Sequence, residues 1–137
     1  MPHQTTTATL HCVDDGKSAH DNRIIDERDV TRGADGGLPW TSSERMLRKD
    51  ALYTLGVVVD HNPARTPGFG SCIFLHVWRA PDKATVGCTT RPHEQLRDIV
   101  AWLSGAQHPL LVQLPRAVYD ERRTPWGLLW LPPVAAR

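Results

Sequence analysis

The sequence predicts a mainly β domain carrying two helices, an α+β fold, and three observations lead there. Eleven prolines and ten glycines in 137 residues punctuate the chain often enough to favour short strands over a helical bundle. Two short β-branched runs, 56–60 and 71–78, read as strands. Two longer stretches, 41–53 and 92–104, carry apolar residues at helical spacing. The length suits a single domain over residues 1–137 and is short for two.

Residues 1–37 read as irregular, polar and rich in Asp and Gly, with one apolar patch at Ile24-Ile25. Residues 1–8 are expected to be disordered, and Gly33-Ala-Asp-Gly-Gly37 to be a flexible loop. Thr41 and Glu44 stand in the capping-box relation ahead of Met46, Leu47 and Leu52. That pattern predicts a helix ending by Gly56, with Arg45, Arg48 and Lys49 on its solvated face.

Gly56–Asp60 is expected to be a buried strand, and His61 to Gly70 a loop of turn-forming residues. Ser71–Trp78 is the best strand in the chain. Alternation places Cys72, Phe74, His76 and Trp78 on one face, and Ile73, Leu75 and Val77 on the other. Both faces are apolar, so this strand should be central and covered on both sides. After a connection containing Pro81, a helix runs from Pro92 to Ser104, with Leu96, Ile99, Val100 and Leu103 in one stripe and Gly105 as its cap. Leu110–Leu114 reads as another short strand. Trp78, Trp102, Trp126 and Trp130 are expected in the core, and the tail ends in an apolar patch.

A formal charge of +1, with both signs mixed along the chain, gives no nucleic-acid footprint. No apolar run is long enough to span a membrane. Met1–Leu10 is polar and lacks the apolar core of a signal peptide. The chain is therefore expected either to stay in the cytoplasm or to be a mature or shortened piece of an exported protein. Cys12, Cys72 and Cys88 leave two arrangements open: one disulfide and a free thiol in an oxidising compartment, or three buried thiols in a reducing one.

One pair of residues has the makings of chemistry. His76 sits mid-strand, and Cys88 follows twelve positions later, directly after a glycine and shortly before a helix. A connection of that length can return the chain to the strand. An imidazole and a helix N-terminus both raise the thiolate fraction of a cysteine. Gly87 would let the backbone approach a substrate carbonyl, so the Gly87 and Cys88 amides are candidate oxyanion donors. His61 and Asn62, in a loop beside the central strand, are candidates to line the substrate cleft, though a turn that merely closes the strand fits them equally. Ser71 and Arg79 flank the active strand and are further substrate-side candidates. Neither His11-Cys12 nor His76, Cys88 and His93 matches a compact zinc spacing, so no metal is expected, and His93 reads as an exposed helix-start residue.

Gly70-Ser-Cys-Ile-Phe-Leu-His-Val-Trp-Arg79 followed by Thr85-Val-Gly-Cys-Thr89 closely resembles the active-site segment of the L,D-transpeptidase (YkuD) catalytic-domain family. Cys12-Val-Asp-Asp15, Ile25-Asp26, Glu44-Arg-Met46, Gly56-Val-Val-Val59, His61-Asn62, Leu111-Val-Gln-Leu-Pro115 and Pro125-Trp-Gly127 are similar to one bacterial branch of it. The likeness runs from about residue 9 to residue 128.

The resemblance implies a β-sandwich in which Cys88 is the nucleophile and His76 the general base. It implies attack on the peptidoglycan stem peptide at the carbonyl before the terminal D-alanine. The acyl group then passes to an acceptor amine, giving a cross-link, or to water, giving carboxypeptidase activity. It implies no cofactor, inhibition by carbapenem-type β-lactams, and a periplasmic or extracellular setting. It also makes Cys12 and Cys72 structural, their pairing leaving Cys88 free. Members of this branch carry further N-terminal strands, so the domain is expected to be incomplete at that end. The alternative is a relative that keeps the fold and at most binds cell wall. Three positions depart from the family pattern: Val86 where a small residue is usual, Thr90 where many relatives have arginine, and Val77 after the histidine. A backbone carbonyl there can still orient the imidazole.

Overall fold

Leu10–Val13 (β1) is buried at every residue because it forms the middle of a three-stranded antiparallel sheet. The computed structural model describes residues 3–132. Arg23–Asp26 (β2) pairs with one edge of β1, Leu10 opposite Asp26 and Cys12 opposite Ile24. Ser43–Arg45 (β3) pairs with the other edge, setting Glu44 opposite Cys12. The expected irregularity of residues 1–37 therefore gives way to two strands. Their four-residue lengths are too short to show an alternation.

The helix expected over 41–53 does not form. Asp15 accepts from both the Thr41 amide and the Thr41 hydroxyl, at 2.8 and 2.9 Å, and the backbone that follows is claimed by the pairing of Ser43–Arg45 with β1. The backbone runs extended instead, with the Met46 amide donating to the Leu10 carbonyl, and Met46 enters the core. Only a short 3-10 turn follows, Ala51–Tyr53, capped by the Asp50 carboxylate. Arg45, Arg48 and Lys49 thus share no helix face.

The second sheet is built on Phe74–Val77 (β5), buried throughout and central as expected. Gly56–Val58 (β4) lies antiparallel on one side, and Thr89–Arg91 (β6) parallel on the other. A parallel neighbour needs a crossover connection, and the loop 78–88 is that connection. The faces of β5 divide as the alternation predicts. Phe74 joins Leu10, Cys12, Met46 and Cys72 in the core shared by the two sheets. Leu75 and Val77 pack on the other side against Leu96 of His93–Trp102 (α1), which lies within the expected 92–104. The α1 stripe is as expected, with Leu96 fully buried and Ile99 and Val100 packed beside it. Gly105 does not cap α1; Leu103 turns extended and closes it, and Gly105 begins a 3-10 turn.

Cys12 and Cys72 form a disulfide with Cα atoms 5.9 Å apart, tying β1 to the approach to β5. Asn22 ties the same junction. In the left-handed region at φ 55°, its amide donates to the His61 and Asn62 carbonyls and its carbonyl oxygen accepts from the Cys72 amide.

The C-terminal third departs most from expectation. Leu110–Leu114 is extended but has no strand partner among the described residues, and Leu110 is 90% exposed. A helix, Arg116–Arg123 (α2), follows Pro115, with Arg116 and Asp120 paired one turn apart. Trp126 and Trp130 are exposed rather than buried, because the segment beyond 108 packs on little besides itself, and Trp102 is exposed at the last position of α1, off its buried stripe. The buried indole is that of Trp40. Among the described residues, no helix is long and apolar enough to cross a membrane. Residues 1–2 of the segment expected to be disordered, and 133–137 of the apolar tail, lie outside the described residues.

Candidate active site

His76, on the central strand of the second sheet, is 6% exposed, and Cys88, at the end of the 78–88 crossover, is half-buried. Both line one cleft of about 360 Å³. The disulfide consumes the other two cysteines, which leaves Cys88 as the free thiol.

The imidazole has a defined tautomer. Its Nδ1 lies 2.8 Å from the Val77 carbonyl, which can only accept, so Nδ1 carries a proton and in the neutral ring Nε2 holds the lone pair. The carbonyl of the residue after the histidine thus orients the ring, and the valine side chain there is no obstacle. The Tyr53 ring meets His76 edge-on, with centroids 5.0 Å apart.

The sulfur of Cys88 accepts from the Phe74 amide at 3.4 Å and lies 3.6 Å from the Cys72 carbonyl. Among the described residues, no direct hydrogen bond joins it to the His76 ring. Burial pushes the Cys88 thiol above its usual range, the Phe74 amide pulls it back, and the Glu44 charge pushes it up again. The net direction is upward, with burial the largest cause.

Gly87 is a required glycine. At φ +150° it occupies backbone space that other residues avoid, and an added Cβ would sit 3.3 Å from the Ile73 Cδ1. Thr85 clamps this turn, its hydroxyl accepting from the Gly87 amide at 3.3 Å and donating to the Cys88 carbonyl. The Gly87 amide is thus already engaged, and the Cys88 amide is the less committed of the two expected oxyanion donors. Val86 is fully exposed, so the departure from a small residue there faces solvent.

Ser71 and Arg79 lie on the lining of the cleft, although the Ser71 hydroxyl donates to the buried Asp21 at 2.7 Å. Arg79 leans on Asp50 at 3.7 Å. His61 and Asn62 do not line the cleft. The His61 Nε2 is bonded to the Phe69 carbonyl at 2.7 Å, and the Asn62 amide donates to the Thr66 and Gly70 carbonyls. Both residues brace their own loop, the turn-closing role.

Sequence reasoning missed Glu44, Arg48, Tyr53 and Lys83, which also line the cleft. The Tyr53 hydroxyl donates to Glu44 in a short bond, and burial followed by that carboxylate raises the phenol far above its usual range. The Arg48 guanidinium lies 5.1 Å from the Tyr53 ring centre and is held by Asp50 at 2.8 Å. No sequence spacing announces this group, because its members meet only when β3 and the 51–53 turn are in place.

His93 is exposed at the first position of α1. Among the described residues, no three His, Cys, Asp or Glu side chains converge to hold a metal ion. No family model matches the chain, and no curated protein or solved structure is significantly similar to it.

Proposed function

We propose that this chain is a cysteine acyltransferase in which Cys88 attacks a peptide carbonyl and His76 takes the thiol proton. Within that class, the motif around both residues favours an L,D-transpeptidase of the YkuD fold acting on peptidoglycan stem peptides. The observation that carries the reading is a free thiol in the same cleft as an imidazole whose tautomer leaves Nε2 as a base.

As the Cys88 sulfur bonds to the substrate carbonyl carbon, its proton passes to His76 Nε2, and the Val77 carbonyl steadies the resulting imidazolium. The developing oxyanion is met by the Cys88 amide, joined by that of Gly87 once Thr85 yields it. The C–N bond then breaks, the leaving amine takes the proton from His76, and an acyl-thioester remains. An acceptor amine, or water, loses its proton to His76 and displaces the sulfur. Deferring ionisation to the moment of attack suits a thiol that burial has raised. The charged cleft, with Glu44 against Arg79 and Lys83, suits a substrate bearing both carboxylate and ammonium groups.

The test is intact-mass analysis after incubation with a carbapenem, with peptide mapping and Cys88→Ala alongside. One adduct on Cys88, absent from the variant, is expected; a folded protein without an adduct would sink the reading. The raised thiol and its missing bond to His76 favour a second reading, a relative that binds cell wall without chemistry. Its mark is sedimentation with peptidoglycan while Cys88 stays unmodified.

A further inference from the structure

Two features of the cleft have no part in the steps above: a tyrosine whose ring abuts the base, and a carboxylate beside the nucleophile. Tyr53 lines the cleft together with both His76 and Cys88. Its ring packs edge-on against His76 and Phe74, with centroids 5.0 and 5.6 Å away, and it shares a core cluster with Cys88. Its hydroxyl is committed to Glu44, so it is not placed to deliver a proton to substrate. Arg48 covers the ring and is itself gripped by Asp50. Glu44 stands on β3 opposite Cys12, whose sulfur is bonded to Cys72 at the entry to β5.

The 51–53 turn thus reaches His76 through Tyr53, and the first sheet holds Tyr53 through Glu44. The Val77 carbonyl fixes the imidazole about one axis only. A ring against its side is what stops the remaining swing.

We propose that Tyr53 and Glu44 form a positioning pair for His76, the Tyr53 ring seating the imidazole and the Glu44 carboxylate holding that ring in place. This rests on the acyl-transfer reading and adds a requirement to it. It also gives a role to a carboxylate whose charge opposes ionisation of the Cys88 thiol. The charged groups around the pair are Asp14, Arg48, Asp50, Arg79 and Lys83, from the segments flanking β1, β3 and β5.

The experiment is the second-order rate of carbapenem adduct formation at Cys88 in the full chain, followed by intact mass from about pH 5 to about pH 9 so that histidine and thiol both titrate. Tyr53→Leu keeps apolar volume and removes the ring. Its rate is expected to fall about 100-fold, the scale of a displaced general base, and its pH profile to lose the histidine step and follow thiol ionisation alone. Tyr53→Phe keeps the ring and gives up the carboxylate link. It is expected to retain the step and lose roughly fivefold, about one hydrogen bond.

A Tyr53→Leu protein with the wild-type rate and profile overturns the proposal. So does Tyr53→Phe slowed as far as Tyr53→Leu, which would place the whole effect in the hydroxyl. If Tyr53→Leu does not fold, Tyr53→Phe decides: the modest loss supports the pair, and an unchanged rate overturns it. A wild type that forms no adduct is a different failure, that of acyl transfer itself, and it removes this proposal too.

Discussion

His11 and His76 hold matching places in the two sheets, each buried on a central strand, and they differ in what their second nitrogen does. His11 has both ring nitrogens bonded, Nδ1 to the Ser43 hydroxyl at 2.9 Å and Nε2 to Glu27 at 3.2 Å. Trp40 packs on the ring, and neither His11 nor Ser43 nor Glu27 lines the cleft. His76 gives one nitrogen to the Val77 carbonyl and turns its other side to the cleft that holds Cys88. The Ser43–His11–Glu27 row has the residue types of a hydrolytic triad but lies outside the cleft that holds Cys88. A buried histidine satisfied on both sides is a structural rivet, whereas one satisfied on a single side is a base waiting for a proton.

The sharpest way to break that contrast is to remove each ring in turn. His76→Ala should slow acylation of Cys88 by about 10²- to 10⁴-fold, measured by adduct formation. His11→Ala should leave the rate of the folded protein alone while lowering its stability by about 2 kcal/mol in a denaturant titration, through groups left unpaired. Equal rate losses in the two variants would erase the distinction.

Removing the bond between the sheets comes next. The disulfide closes a loop with a sequence separation of 60. On a chain-entropy account, replacing Cys12 and Cys72 by alanine should cost about 4 kcal/mol, read as a lower urea midpoint that reductant no longer shifts. A midpoint unchanged from the oxidised parent would show that the sheets hold together without it.

Gly87→Ala tests the crossover turn. Placing a side chain at φ +150° costs on the order of 1–3 kcal/mol. The variant should therefore melt several degrees lower and, because the turn carries Cys88, be acylated roughly tenfold more slowly. An unchanged melting temperature and rate would show that the turn takes the side chain without strain.

The smallest effect expected is on acid stability. Arg48 holds Asp50 at about 2, and the Thr41 and Lys17 amides hold Asp15 below its usual range. Lowered carboxylates contribute stability above the unfolded value near 4 and lose it as pH falls through the folded one. Melting temperature should therefore be flat down to about pH 4 and decline gently towards pH 2; both groups are exposed, so a steep fall would need another cause.

What the sequence announces is what lies on one element. The alternation of β5 and the stripe of α1 each need only their own residues, and both were legible to within a few positions. The pairing of His76 and Cys88 in one cleft was legible because the crossover between their strands is short. Contacts made at a distance were not. Thr41 and Glu44 have the spacing of a capping box, but the backbone at 43–45 pairs with β1, far earlier in the chain, and the same extended backbone delivered Glu44 to Tyr53. Leu110–Leu114 carries strand composition but finds no strand beside it among the described residues, and composition says nothing about partners. α2 did have local signals, Pro115 at its start and Arg116 with Asp120, which the apolar residues around it outweighed.

Three sulfurs permit three single cross-links, and only the Cys12–Cys72 bond leaves Cys88 as the free thiol. In the folded chain Cys88 lies against the backbone of Cys72, one of the two residues whose bonding spares it. On the acyl-transfer reading proposed above, a chain oxidised through either other pair would be an inert isomer of identical mass.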